Sequence, residues 1–278
     1  MSTMFLRPRG HFEVYGMTDL SQAIRAALLT GDQRDKVMAT RALVRDWRRG
    51  RLTTVFSTPM PVFPAWPQAL KILPPGQMPR RGKGGSARNR IALWHSLAHI
   101  EFVAIDLALD IVGRFGAEMG DVFIADFLSV AGDEAMHFAL IERHLSSMGA
   151  AYGDLPVHDG LWQSAADTAH DVEARLAIVP MVLEARGLDV TPATLERVRS
   201  QGDSRGAKIL QRILDDEIRH VSAGARHFDE LCRRRSIGPK NHWKMLVKRY
   251  FRGTLKPPFN DSARLAAGLS RDLYAGIA

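Results

Sequence analysis

Cysteine is all but missing from this chain: Cys232 is the only one in 278 residues. A single thiol excludes an internal disulfide and any thiolate-rich metal cluster, and it suits a reducing compartment, so the expected location is the cytoplasm. Long apolar runs are missing as well. No uninterrupted stretch is long enough to span a bilayer, and Met1 to Gly16 carries Arg7, Arg9, His11 and Glu13 where a secretory leader needs an apolar run. No transmembrane segment is expected. Acidic residues also vanish locally, with no Asp or Glu between Glu230 and Asp261.

What the chain does have is acid in its middle and base at its flanks. From Glu101 to Glu230 eleven Lys and Arg stand against 23 Asp and Glu, a net of −12, which leaves +20 on the rest of a chain whose total is +8. Two readings follow. Either basic flanks cover an acidic bundle, or a basic face meets an acidic partner such as nucleic acid, phospholipid or a phosphorylated metabolite.

The stretch Asp215-Asp216-Glu217-Ile218-Arg219-His220 lies in a helical pattern, with Ile209, Leu210, Ile213 and Leu214 before it and Val221 after it. Positions three apart share a helix face, so Glu217 and His220 project together into an apolar stripe. Burying both without partners costs several kcal/mol. A metal ion removes that cost, and Glu-x-x-His is the pair that di-metal four-helix bundles carry on two of their helices. Asp133-Glu134-Ala135-Met136-His137 repeats the pattern, and each copy has a lone glutamate upstream in an apolar stretch, Glu101 and Glu184. Glu101 precedes Glu134 by 33 residues, and Glu184 precedes Glu217 by the same 33. The chain therefore reads as two copies of one helical hairpin, an all-α four-helix bundle with Glu101, Glu134, His137, Glu184, Glu217 and His220 facing inward. Carboxylate and imidazole donors without thiolate suit two iron ions, with manganese the alternative. Asp133 and Asp216 each stand four residues before a ligand histidine, placed to hold the distal imidazole N–H. His95 and His99 fall off the Glu101 face and read as supporting or capping histidines.

Taken in order, residues 1–85 form a helical preface (Thr18 to Leu29, Asp32 to Arg49) and a proline-rich extended segment anchored by Phe56, Phe63 and Trp66. Arg80, Arg81, Lys83, Arg88 and Arg90 around Gly84 and Gly85 make a basic approach to the bundle, which spans 86–236. Its helices are expected at Ser86 to Arg114, Gly120 to Met148, Ser164 to Arg186 and Asp203 to Arg234, with a turn-rich connection from Ala150 to Gly160. Pro180 should bend the third, and Gly187 with Pro192 should interrupt it before a short helix over Thr191 to Gln201. Residues 237–278 form a basic helical tail, in which Trp243, Leu246, Tyr250 and Phe251 alternate with Lys and Arg, Pro257-Pro258 makes a break, and Ser262 to Tyr274 is a last helix.

The run His95-Ser-Leu-Ala-His-Ile-Glu101, the two Asp-Glu-x-x-His segments, His158-Asp-Gly-Leu-Trp162, Leu183-Glu-Ala-Arg-Gly187 and Lys256-Pro-Pro-Phe-Asn260 resemble the bacterial ferritin-like family designated domain of unknown function 455. That resemblance, from about Arg80 to Asn260, implies a ferritin-like four-helix bundle with a di-metal centre. More distantly the chain is similar to oxygen-activating di-iron carboxylate enzymes, including the hydroxylase of a hypermodified adenosine in transfer RNA. Asp216-Glu217-Ile218-Arg219-His220 carries their Asp-Glu-x-Arg-His pattern; the first copy has Met136 in place of arginine, so an arginine support from Arg219 is expected on one side. The function expected is a di-iron carboxylate oxidoreductase that uses dioxygen to oxidise or hydroxylate an organic, acidic substrate. A small molecule ranks above RNA, and a homodimer is one assembly left open. Iron handling, peroxide detoxification and a non-catalytic metal-binding interaction protein stay open as alternatives.

Overall fold

The computed structural model describes residues 18–79 and 85–276. The features noted at Arg7, Arg9, His11 and Glu13, and at Arg80, Arg81, Lys83 and Gly84, lie outside the described residues. The described fold is all-α apart from a two-residue parallel pairing of β1 (Thr18–Asp19) with β2 (Leu52–Thr53). Between these strands, α1 (Leu20–Leu28) starts at Asp19, whose carboxylate accepts from the Ser21 amide at 2.7 Å. Thr18, where the sequence places the start of the helix, is engaged in the strand pairing instead. Asp32 caps α2 (Gln33–Arg48) in the same manner, accepting from the Arg34 and Asp35 amides. After β2 the prolines keep the chain extended up to a 3₁₀ turn at Pro75–Gln77. Trp66 fastens this segment by donating from Nε1 to Asp106 at 2.9 Å.

Four long arms follow. Helix α3 (Ala87–Met119) begins where Ser86 accepts from the Asn89 amide, and it runs past Arg114 through Gly116, where the Phe56 and Ile124 side chains pack too close for a Cβ. It ends at Gly120, whose φ of 83° only glycine adopts readily, and the tight turn sends α4 (Asp121–Ser147) back along α3. The third arm differs from the single helix expected over Ser164 to Arg186. A short α5 (Gly160–Asp167) stops, Asp171 caps a new start by accepting from the Ala174 amide, and α6 (Val172–Ile178) leads through a π-helical turn (Val179–Glu184) into α7 (Ala185–Ser200). Pro180 has no N–H to offer, and the widened turn accommodates it. Its ring lies so close to α8 (Ser204–Arg234) that a Cβ on Gly224 would meet the Pro180 side chain at 2.4 Å. Neither Gly187 nor Pro192 interrupts the arm, contrary to expectation. Pro192 frees the Leu188 carbonyl from its intrahelical bond, and the Asn260 side-chain amide fills it at 3.1 Å. A contact with the tail thereby keeps α7 intact across a proline.

The tail is α9 (Pro239–Tyr250), α10 (Asp261–Ala266) and α11 (Arg271–Tyr274); the last helix expected over Ser262 to Tyr274 is two short pieces separated around Gly268. The tail docks by its aromatic side, with Trp243 only 1% exposed. Full burial of such a side chain is worth about 1.5–3 kcal/mol. Its polar side chains meet bundle acids: Arg264 clasps Asp189 at 2.8 and 2.7 Å, His242 reaches Glu173, which Arg235 at the end of α8 also holds, and Arg252 reaches Asp167. Two buried ion pairs tie other elements to α3. Lys36 of α2 meets Asp106, and Arg175 of α6 meets Asp110 at 2.6 Å, all four side chains being closed to solvent. One contiguous apolar core runs from Leu20 to Tyr274. Among the described residues no helix is long and apolar enough to cross a membrane.

Candidate metal centre

Each long arm delivers acid into that core. Glu101 comes from α3, Glu134 and His137 from α4, Glu184 from the last position of the π turn, and Glu217 and His220 from α8. The three-residue spacing puts each Glu and His of a pair on one side of its helix. One ligand atom each from Glu101, Glu134, His137 and Glu217 lies within 4.8 Å of all the others, and these four residues are buried. His220 adjoins them through Glu134, whose two oxygens face the two imidazoles in turn: Oε1 lies 3.0 Å from His220 Nδ1 and Oε2 lies 3.2 Å from His137 Nδ1. Glu101 stands 3.5 Å from His137 Nδ1 and Glu217 stands 3.7 Å from His220 Nδ1, so the arrangement is two-fold in character. Glu184 is outside the tight group of four, and its Oε2 is buried without a hydrogen-bond partner.

Both imidazoles turn Nδ1 inward because Nε2 is held from behind. His137 Nε2 pairs with Asp216 at 3.1 Å, and His220 Nε2 pairs with Asp133 at 3.3 Å. The braces therefore cross, each aspartate serving the histidine of the other repeat. Asp216 is further gripped by Arg219 and by Arg212 at 2.5 Å, and Arg219 also reaches Asp133 at 3.4 Å. Burial pushes the Asp216 carboxyl up, but Arg212, His137 and Arg219 outweigh it and hold it down at about 2. Arg212 was not foreseen, although its i,i+4 spacing to Asp216 is a readable signal. His99 does not belong to this shell. Its Nδ1 meets the Tyr152 hydroxyl at 2.8 Å and its Nε2 donates to the His158 carbonyl at 2.9 Å, because residues two apart on a helix point about 200° from each other and Glu101 faces the opposite way.

The charges of the cluster are set by mutual proximity. Burial first, then the Glu134 charge, lifts Glu101 well above the usual carboxylate range. Burial and the neighbouring Glu217 push Glu184 up to about 8. Burial also works on Glu134, but the hydrogen bond with His137 and the His220 imidazole 3.0 Å away overcome it and hold that carboxyl far below its ordinary value. Against the opposing effect of burial, Glu101 and Glu134 push His137 up to about 11, and Asp133, Glu134 and Glu217 raise His220 as well.

This donor set fits metal. Glu134 Oε1, Glu184 Oε2, Glu217 Oε2 and His220 Nδ1 are all buried without a hydrogen-bond partner, an accumulation that native cores avoid unless an ion satisfies it. Oxygen and imidazole donors suit iron or manganese, and Cys232, the only thiol, is not in the cluster. The buried cluster of Glu and His can hold a metal ion.

Comparison with known proteins agrees in extent. Residues 29–275 match the family described as protein of unknown function (DUF455). A protein of Haemophilus influenzae described as uncharacterized is 35% identical over 270 residues, covering 92% of either chain. No solved structure shows a significant match. With nearly its whole length matched in this way, the chain belongs to the DUF455 family.

Proposed function

We propose that this protein is a ferritin-like di-iron carboxylate oxidoreductase that uses dioxygen to oxidise or hydroxylate an anionic organic substrate. The single observation that carries the reading is the crossed, two-fold cluster: two inward Nδ1 atoms around one central carboxylate, each backed by an aspartate from the other repeat. Glu101, Glu134 and His137 would serve one ion and Glu184, Glu217 and His220 the other. A bound ferrous pair would supply electrons to dioxygen and an external reductant would restore it after each turnover; the chain holds, orients and shields it. Asp133 and Asp216 fix the imidazole rings, Arg212 and Arg219 fix Asp216, and the surrounding apolar core excludes water.

The approach from solvent supports an anionic substrate. A cleft of about 350 Å³ reaches His220 and Asp133 between α4 and α8, with Arg219 and Arg226 on its walls. Ser129 and Asp133 also border a groove of about 380 Å³ beneath Arg41, Arg45, Arg48 and Arg49 of α2. Asp126 and Asp133 also line the first cleft and pair with Arg226 and Arg219, so the positive charge that would draw an anion comes from the α2 arginines over the second groove.

The test is anaerobic ferrous loading followed by elemental analysis and oxygen-uptake measurement. The reading expects about two irons per chain, loss of that iron in Glu134→Ala, and stoichiometric oxygen consumption. Protein that refuses iron overturns the metal centre; a large cage taking up many irons per chain would show storage instead. A nucleoside and metabolite comparison of cells with the gene, without it, and carrying Glu134→Ala then identifies the substrate class.

A further inference from the structure

A further cavity bordered by described residues lies away from the metal centre. It measures about 780 Å³ and sits on the outer side of α3, between its first turns, the connection from α4 to α5 and the end of the proline-rich segment. Arg88, Ala92, His95, Ser96 and His99 line it at the three- and four-residue steps of one helix stripe. Glu101 points about 200° away from that stripe, so the cavity and the cluster occupy opposite sides of the same helix.

The cavity is shaped as a ligand site. Ile91, Ile100, Leu155, Val157 and Leu161 give it apolar walls, and its volume falls in the range of small-molecule pockets, about 300–1,000 Å³. Its polar groups are donors with fixed direction. His95 is 2% exposed, and its Nε2 accepts from the Gly153 amide at 2.9 Å and the Leu155 amide at 3.3 Å. An imidazole nitrogen that accepts carries no hydrogen, so the His95 proton sits on Nδ1, which finds no partner among the described residues. His158 repeats the device: Nδ1 accepts from the Gly160 amide at 3.2 Å and Nε2 keeps the proton. His99 is satisfied at both nitrogens and closes the back wall. Arg88 stands exposed at the mouth, the Ser96 hydroxyl and Asn89 amide add polar contacts, and no aspartate or glutamate lines the space.

We propose that this cavity is a second ligand site, separate from the metal centre, that takes an apolar organic carboxylate. The hydrocarbon body fills the space under Ile91 and Leu161, Arg88 holds the anionic end, and the N–H groups of His95 and His158 take acceptor atoms. A charged carboxylate gains over its neutral amide because the lining offers cationic and neutral donors and no competing acid.

The probes are 2-naphthoate, 4-methylpentanoate and 2-naphthamide, titrated into the metal-loaded full-length protein by calorimetry. At least one carboxylate should bind saturably, and 2-naphthamide should bind about tenfold more weakly than 2-naphthoate. Ala92→Trp, which fills the cavity, should abolish binding while metal content stays at the parent value; Arg88→Gln should weaken it by about tenfold. If Ala92→Trp does not fold, histidine nitrogen resonances in the unmodified protein decide, with His95 and His158 expected to shift on 2-naphthoate addition and His137 expected to stay. No saturable binding of either carboxylate up to about 5 mM, equal binding of acid and amide, binding that survives in a folded Ala92→Trp, or still His95 and His158 resonances would overturn the proposal. None of these results depends on whether the metal centre is catalytic.

Discussion

Metal uptake by this site should release about four protons for every two divalent ions, because the buried cluster stays neutral in both forms. In protein stripped of metal at pH 7, His137 and His220 are imidazolium ions, since their carboxylate neighbours raise both against the effect of burial. Two positive charges in a dry core call for two carboxylates beside them: Glu134, which is held far below its usual range, and Glu217, which faces His220 Nδ1 at 3.7 Å. Glu101, raised well above the carboxylate range, and Glu184, at about 8, keep their protons. Ligation requires four carboxylates and two neutral imidazoles, so two imidazolium and two carboxyl protons must leave. The sign follows directly. Acid restores those protons and competes with metal, so affinity falls as pH drops below 7 by about a hundredfold per ion per pH unit, or about 5 kcal/mol per unit for the pair. Calorimetric titration with manganese in buffers of different ionisation enthalpy reads the proton count from the slope. A count of zero or one, or an affinity that does not change between pH 6 and 7, would refute this charge assignment.

Three further outcomes are expected. Asp216→Asn and Asp133→Asn each remove an imidazole brace and should lower metal affinity by about 10–100-fold in chelator competition, with Asp216 the larger because two arginines hold it; unchanged affinity in both would show the braces idle. Gly224→Ala drives a methyl into Pro180, so urea unfolding should show a loss of about 1–3 kcal/mol and metal analysis a reduced content as the π turn shifts Glu184, both partly relieved by Pro180→Gly. Lys36→Met strands a buried carboxylate and should destabilise by about 3–5 kcal/mol near pH 7.5. Burial already lifts Asp106 to about 6 against the pull of Lys36 and Trp66, and without Lys36 it rises further. A raised carboxyl contributes stability at low pH and loses it as pH rises, so the deficit relative to the parent should grow above pH 6 by about 1.4 kcal/mol per unit. A deficit flat from pH 6 to 8 in matched unfolding curves would refute it.

Much of this architecture is legible from residue order alone. Glu-x-x-His twice, at equal distances from a lone upstream glutamate, is a local pattern, and local patterns survive in one dimension. That is why four helical arms carrying acid toward one core could be read before any coordinates. What escaped depends on partners far apart in sequence. Asp133 and Asp216 each stand four residues before the histidine of their own repeat, and only the packed bundle shows that each crosses to the other repeat. Asp106 and Asp110 are acids in an apolar stripe, the same anomaly that exposed Glu101, yet their cations come from α2 and α6. Pro192 reads as a helix break because the Asn260 amide that fills the freed Leu188 carbonyl belongs to the tail. His99, off the Glu101 face, reads as a supporting histidine because its partners, the Tyr152 hydroxyl and the His158 carbonyl, lie more than fifty residues on in the connection after α4.

The two buried ion pairs on α3 have a bearing on accuracy. A helix as apolar as α3 can roll, or slip by one turn of about 5.4 Å, and still find oily neighbours for most of its side chains. Asp106 and Asp110 cannot do so, because in any other setting Lys36 and Arg175 would face hydrocarbon and both carboxylates would be orphaned. They act as a keyway that admits the rod in one orientation. Glu101 rides on that rod little more than one turn from Asp106, so its aim is calibrated by two charges that never touch the centre it serves.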